Sequence, residues 1–157
     1  MGGANATASR NDDAGNTAEM KRSDMANMAK LDEVMAIVEA EVTKYNISED
    51  ATGAGLWDQT VWAHKTSCGT SYCFAGWRAA LDGDITWGDP FSNRRFVAVG
   101  VVVDGKPYSI YDWAKKACGI SGVDAMKLFY AMNSLQDLRR MVKDLREFGT
   151  IMEFNYE

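Results

Sequence analysis

Between Asp24 and Tyr45 the apolar residues Leu31, Val34, Met35, Val38, Val42 and Tyr45 recur at steps of three and four. That spacing predicts an amphipathic helix, with Ser23 placed to cap it. Asp32, Glu33, Glu39 and Glu41 lie on the opposite side and read as a solvated acidic face, and Asn46 to Gly55 reads as a polar loop. A second helical stripe, Cys73, Phe74, Trp77, Ala80 and Leu81, predicts a helix over 71–82, capped by Thr70 and followed by Gly83. Asp84 to Asn93 reads as loop, broken by Gly88 and Pro90. The pattern then changes. Phe96 to Val103 is a continuous apolar run, Asp104-Gly105 tolerates the positive φ angles of a type I′ turn, and Lys106 to Ile110 returns as a second strand. Pro107 lacks a ladder donor and confines that strand to an edge. Three further helices are announced by Ser109-x-x-Asp112, Ser121-x-x-Asp124 and Ser134-x-x-Asp137, each resembling a capping box. Gly119 and Gly149 close the first and last of them, and the last carries Leu135, Leu138, Met141, Val142 and Leu145 on one face.

These elements predict an α+β fold, mainly helical: a long N-terminal helix, a Trp-rich Cys helix, one β-hairpin and three short capped C-terminal helices. Residues 1–23 hold no Leu, Ile, Val, Phe, Trp or Tyr, and they read as a disordered tail ahead of a single globular domain at 24–157. Composition changes this picture little. At 46% hydrophobic and 25% charged, the 157-residue chain has ordinary globular values. Its longest apolar run is eight residues, against the roughly 20 that cross a bilayer. No membrane partner and no secretory leader are expected. Three cysteines make no disulfide scaffold, which points to a reducing cytoplasm.

Four of the five tryptophans, Trp57, Trp62, Trp77 and Trp87, fall close together and suggest the centre of a small core. Among them runs Cys68-Gly69-Thr70-Ser71-Tyr72-Cys73-Phe74-Ala75-Gly76-Trp77. With Trp57-Asp58-Gln59-Thr60-Val61-Trp62 before it, this string resembles a family of small uncharacterised proteins from actinobacteria and their phages. The family's pattern is Cys-Gly-Thr, two variable residues, Cys, one apolar residue and Ala-Gly-Trp. Gly119-Ile120-Ser121, Leu128-Phe129 and Asn133-Ser134-Leu135-Gln136-Asp137-Leu138 are similar to its closing pattern, so the resemblance spans about 56–146. It implies an origin and a fold, and carries no activity.

Three chemistries have candidate residues. Cys73, near a helix N-terminus, is placed for a lowered thiol pKa, and its surroundings echo the Cys-Gly-Ser-Cys-Trp string of papain-like proteases. Those enzymes take a histidine base from far downstream, whereas the single histidine here, His64, is upstream, and Cys73 shares an apolar stripe with Trp77. Buried structural cysteine is therefore expected. His64, Cys68, Cys73 and Cys118 supply one nitrogen and three sulfurs, a legal zinc set at non-standard spacing. Nucleic acid is the third partner considered. Lys115, Lys116, Lys127, Arg139, Arg140, Lys143 and Arg146 give 113–146 a local charge of +4 within a chain of net −5. Ala114, Cys118-Gly119-Ile120, Ala125 and Leu128 loosely fit a helix-turn-helix, from which Lys115 and Asp124 depart.

No catalytic constellation completes. The reading is a cytoplasmic, phage-type accessory protein, non-enzymatic and without a cofactor, that binds a protein of its bacterial host. Its alternatives are a DNA-binding protein using 113–146 and a cysteine-dependent enzyme centred on Cys73.

Overall fold

A computed structural model describes residues 26–88 and 97–152. The expected tail at 1–23 and most of the loop expected after Gly88 lie outside these residues. The chain is α+β, but its β content is not one hairpin. Among the described residues, seven strands form two sheets beside five helices.

The first helix, α1, spans Met28–Tyr45, and Asn27 rather than Ser23 caps it, its side chain accepting the Lys30 N–H. The Asn27 N–H donates to Cys118 O at 2.8 Å, so the start of α1 is tied to a residue far along the chain. Leu31, Val34, Met35, Val38 and Val42 are buried as their spacing requires, while Tyr45 is exposed.

Next come β1 (Gly53–Ala54), β2 (Trp57–Asp58), β3 (Ala63–Thr66) and β4 (Gly69–Tyr72), which form a sheet in the order β1-β2-β4-β3. The β2–β4 pair is parallel and the others are antiparallel. This sheet corrects the expected helix start at Ser71, because Thr70 and Ser71 pair in β4 with Lys65 and His64. Its strands are too short and polar to show a hydrophobic alternation, so only their pairing identifies them.

The Cys helix, α2, therefore begins later, at Phe74, and runs to Asp82 with Cys73 as its N-cap. Gly83 follows in extended backbone, with no left-handed closure. The buried face is also rotated from expectation: Phe74, Ala75, Arg78 and Ala79 are buried, while Leu81 is exposed.

β5 (Asp84–Trp87), expected as loop, pairs antiparallel with β6 (Ala98–Val103), which pairs in turn with β7 (Lys106–Tyr108). Asp104 and Gly105 adopt φ of 51° and 78°, as the type I′ hairpin turn requires. One bridge, His64 with Val97, links the two sheets.

Three helices complete the fold: α3 (Ile110–Cys118), α4 (Gly122–Leu128) and α5 (Leu135–Phe148). Ser109, Ser121 and Ser134 each accept the backbone N–H three residues on, and Ser134 with Asp137 makes a full capping box. The last helix is not short; it has 14 residues, and its face of Leu135, Leu138, Met141, Val142 and Leu145 is buried in the one core shared with α1.

The acidic side of α1 is not merely solvated. Asp32 pairs with Arg146, Glu33 with Arg78, and Glu39 with Arg139, while Glu41 accepts the Leu56 N–H at 2.7 Å.

Candidate functional site

The tryptophan-rich segment and the N-terminus of α2 form one construction. A helix start leaves its first N–H groups without intrahelical partners. At α2 the Phe74 N–H donates to Gln59 Oε1 at 3.1 Å, and the Gly76 N–H donates to Cys73 Sγ at 3.3 Å. Gln59 is almost fully buried and also accepts the Trp57 indole N–H, while its Nε2 donates to Leu128 O and Tyr130 O. It thus ties Trp57, α2 and the end of α4 together.

Cys73 holds the preceding strand connection in place. Its N–H donates to Val61 O at 2.9 Å, and its thiol donates to Trp62 O at 4.0 Å. Gly76 completes the contact, because a Cβ there would meet Trp62 O at 1.7 Å. Only glycine lets the helix backbone lie against residue 62. The Cys-x-x-Gly spacing of the motif is therefore a clamp on Val61 and Trp62.

The clamp fixes the backbone of Trp62 and leaves its side chain outward. Trp57 is fully buried and Trp77 and Trp87 are half-buried, but Trp62 is 39% exposed, which corrects the expectation that all four centre the core. Two hollows flank Trp62. One, of about 310 Å³, is bounded by Gln59, Thr60, Cys73, Val97 and Phe129; the other, of about 170 Å³, by Ala98, Val99, Ser109, Ile110 and Tyr111. Val97 and Val99 are exposed beside the indole, Val99 at 62%. Sequence reasoning missed this surface, since nothing local distinguishes Trp62 from its neighbours. The one signal was Gly76, whose need for close backbone approach could have been read.

The three candidate chemistries fare differently. Burial pushes the Cys73 thiol up to about 12, outweighing the Gly76 and Ala75 N–H groups that favour a thiolate. At pH 7 it is a neutral cap. Cys118 is also buried and pushed up to about 12 by burial, beneath Arg78, Asp82 and Lys30. His64 and the exposed Cys68 share a separate open cleft of about 970 Å³ with Asp58, Thr66 and Ser71. The four-residue zinc set is not assembled: among the described residues, no three His, Cys, Asp or Glu side chains come together to hold a metal. All three thiols are free.

The basic segment is largely paired within the chain, at partly exposed side chains. Arg139 pairs with Glu39 and Glu49, Arg146 with Asp32, Arg140 with Asp137, and Lys143 with Glu147. Lys127 donates to Ile151 O, and Lys116 lies over the Tyr108 ring. Lys115 has no acidic partner within salt-bridge distance among the described residues. Arg78, which the sequence gave no reason to single out, is the buried cation. It meets both oxygens of Asp82, Glu33 and the carbonyl of Lys30, and Asp82 also accepts the Trp113 indole N–H and the Lys30 ammonium. Burial alone would raise the Asp82 carboxyl, but hydrogen bonds from Arg78, Trp113 and Lys30 hold it below the usual carboxylate range. This network joins α1, α2 and α3.

No helix among the described residues is long and apolar enough to cross a membrane. The chain matches no protein-family model, no curated protein and no solved structure.

Proposed function

We propose that this chain is a non-enzymatic binding protein that engages a protein partner through Trp62. The observation that carries the reading is an indole held on an immobilised backbone yet left 39% exposed between two hollows. An aromatic anchor with little freedom to lose on association is what protein interfaces concentrate their binding energy in. The neutral, buried Cys73 supports the same reading, since it serves as clamp and cap and offers no thiolate. The pairing of Arg139 with Glu39 and of Arg146 with Asp32, which already occupies these two cations, supports a protein partner over DNA. The sequence resemblance to actinobacterial and phage proteins supports an actinobacterial host as the source of that partner, with this chain proposed as a cytoplasmic accessory protein.

Affinity capture from such a host's lysate, with wild-type chain and Trp62→Ala in parallel and with and without nuclease, tests this. The expected result is a protein retained by wild type after nuclease treatment and lost with Trp62→Ala, whose circular dichroism stays native. Capture that Trp62→Ala leaves unchanged overturns the reading. Capture that disappears with nuclease, or with Arg139→Ala and Arg140→Ala, would favour the DNA alternative.

A further inference from the structure

We infer that α4 and the end of α5 form a recognition site for an extended peptide in which a hydroxyl residue is followed by a β-branched aliphatic one, and that the chain's own Thr150-Ile151 occupies this site as a detachable strap. Its residues are not those around Trp62, so the site stands or falls without the reading above.

α5 closes at Gly149, whose left-handed backbone (φ 77°) redirects the chain. Gly149 to Met152 then belong to no helix or strand. Side chains, not a backbone ladder, meet the polar groups of this strap. Asp124 of α4 accepts the Ile151 N–H at 3.0 Å, and its two oxygens lie 2.9 and 3.0 Å from the Thr150 hydroxyl, which donates to them. Lys127, about one helical turn on, donates to Ile151 O at 3.2 Å. Asp144 of α5 accepts the Met152 N–H at 3.0 Å. The Ile151 side chain is buried and joins the core. A peptide added to a sheet edge gains main-chain bonds for affinity and side-chain pockets for specificity. Here Asp124 and Lys127 give Ile151 both main-chain bonds from a helix. The core seat reads its aliphatic side chain, and Asp124 reads the hydroxyl before it.

Asp124 makes this more than a tether. The residue is 3% exposed, and among the described residues every hydrogen bond its carboxylate accepts comes from the strap. A buried carboxylate without donors is strongly disfavoured, so a strap that leaves uncovers a site that demands the same donors again. Bonds to an ionised acceptor are roughly twice as strong as neutral ones, which makes the hydroxyl and the N–H the recognised groups. Valine in place of the threonine would leave the carboxylate one donor short, and an acidic residue there would face its charge directly. The strap is able to leave. One apolar side chain and a few polar contacts hold it, and it hinges at a glycine, which reaches both signs of φ. Segments with so few buried contacts open locally at much lower free energy than the whole domain. Occupied by its own chain, the site stays closed until a segment of like chemistry displaces the strap, whether from another protein or from a second copy of this chain.

The test uses the full chain carrying Thr150→Val and Ile151→Ala, which weaken the strap and leave α4 and α5 intact, and a fluorescein-labelled peptide with the sequence of residues 147–153. By fluorescence anisotropy the peptide should bind this double variant at least about tenfold more tightly than wild type, whose own strap competes. Adding Asp124→Asn to the double variant should weaken binding about tenfold, as should valine in place of the peptide's threonine. Circular dichroism checks that each variant keeps its native helix content, and Thr150→Val alone, the milder change, should show the same order. Native-state hydrogen exchange of wild type needs no variant: the Ile151 and Met152 N–H groups should exchange through an opening well below the global one, while the Leu145 N–H stays protected. Sedimentation distinguishes the sources. A wild-type dimer lost with Asp124→Asn supports a second copy, and a monomer whose double variant binds the peptide supports a segment of another protein. Binding indifferent to Asp124, equal binding by wild type and double variant, no binding by a folded double variant, or exchange of the Ile151 N–H only through global unfolding would each overturn the inference.

Discussion

Replacing Gln59 with leucine removes the side chain that joins the tryptophan segment to α2 and α4 while keeping its approximate volume. Four hydrogen bonds are lost, at 3.1 to 3.2 Å each, but they are not equally costly. Leu128 O keeps a bond from Asn133 Nδ2, and Tyr130 O keeps the Asn133 N–H. The Trp57 indole N–H and the Phe74 N–H belong to residues of zero exposure and are left without these partners. A buried group so orphaned costs about 1–3 kcal/mol, giving about 2–6 kcal/mol for the pair. The apolar surface that leucine gains returns about 1–2 kcal/mol of that. The net expectation is a loss of about 3 kcal/mol, a large share of the 5–15 kcal/mol typical of a domain. Urea denaturation followed by far-ultraviolet circular dichroism measures it directly, provided the slope stays that of wild type. Trp57→Phe removes one of the orphaned donors, so in the double variant Gln59→Leu should cost at least about 1 kcal/mol less than it does alone. A loss below about 1 kcal/mol with no coupling to Trp57 would refute the reasoning, since the orphaned groups would then have found water or other partners.

The thiols should separate by burial. In native protein a thiol reagent should label Cys68 quickly and Cys73 and Cys118 slowly, and denaturant should make all three react, as mass spectrometry of timed samples would show. Rapid native labelling of Cys73 would reopen the thiol-enzyme reading. Asp82 should make the fold acid-sensitive. Its carboxyl is held below its ordinary value of 3.8, so its contribution is fully present above that pH and is lost as pH falls through the lower folded value. Asp82→Asn should therefore lower stability at pH 7 and flatten the dependence of stability on pH below about 4. An unchanged slope in acid unfolding curves would show that other carboxylates govern it.

What the sequence disclosed was whatever its own neighbours decide. The serine caps of α3, α4 and α5, the Asp104-Gly105 turn and the buried stripes of α1, Tyr45 apart, and of α5 are set within a few residues, and each is in place. What it concealed was decided from afar. Asp84 to Trp87 has the composition of a turn, but β6 supplies it with hydrogen-bond partners from across a long connection. Thr70 is a good capping residue in isolation, yet pairing with Lys65 keeps it in a strand and passes the cap to Cys73. At the candidate site the motif was visible as a string, but its purpose was not. Cys73 looked like a nucleophile or a core residue, and its actual partners, Val61 O and Trp62 O, are backbone atoms that no side-chain pattern reports. Arg78 lies outside the apolar stripe that the spacing shows, and its burial is not local, because its acids come from α1 as well as its own helix.

The charge pairing between α1 and α5 has a consequence for how the chain is made. Synthesis delivers α1 before the other described elements, with its apolar stripe bare and Asp32 and Glu39 lacking their cations. Arg139 and Arg146, with the leucine face that covers that stripe, follow about a hundred residues later. A ribosome paused anywhere before α5 therefore holds a chain that cannot close its core. In that interval the apolar stripe of α1 stays uncovered, and truncation within the last helix should yield aggregate instead of a smaller domain.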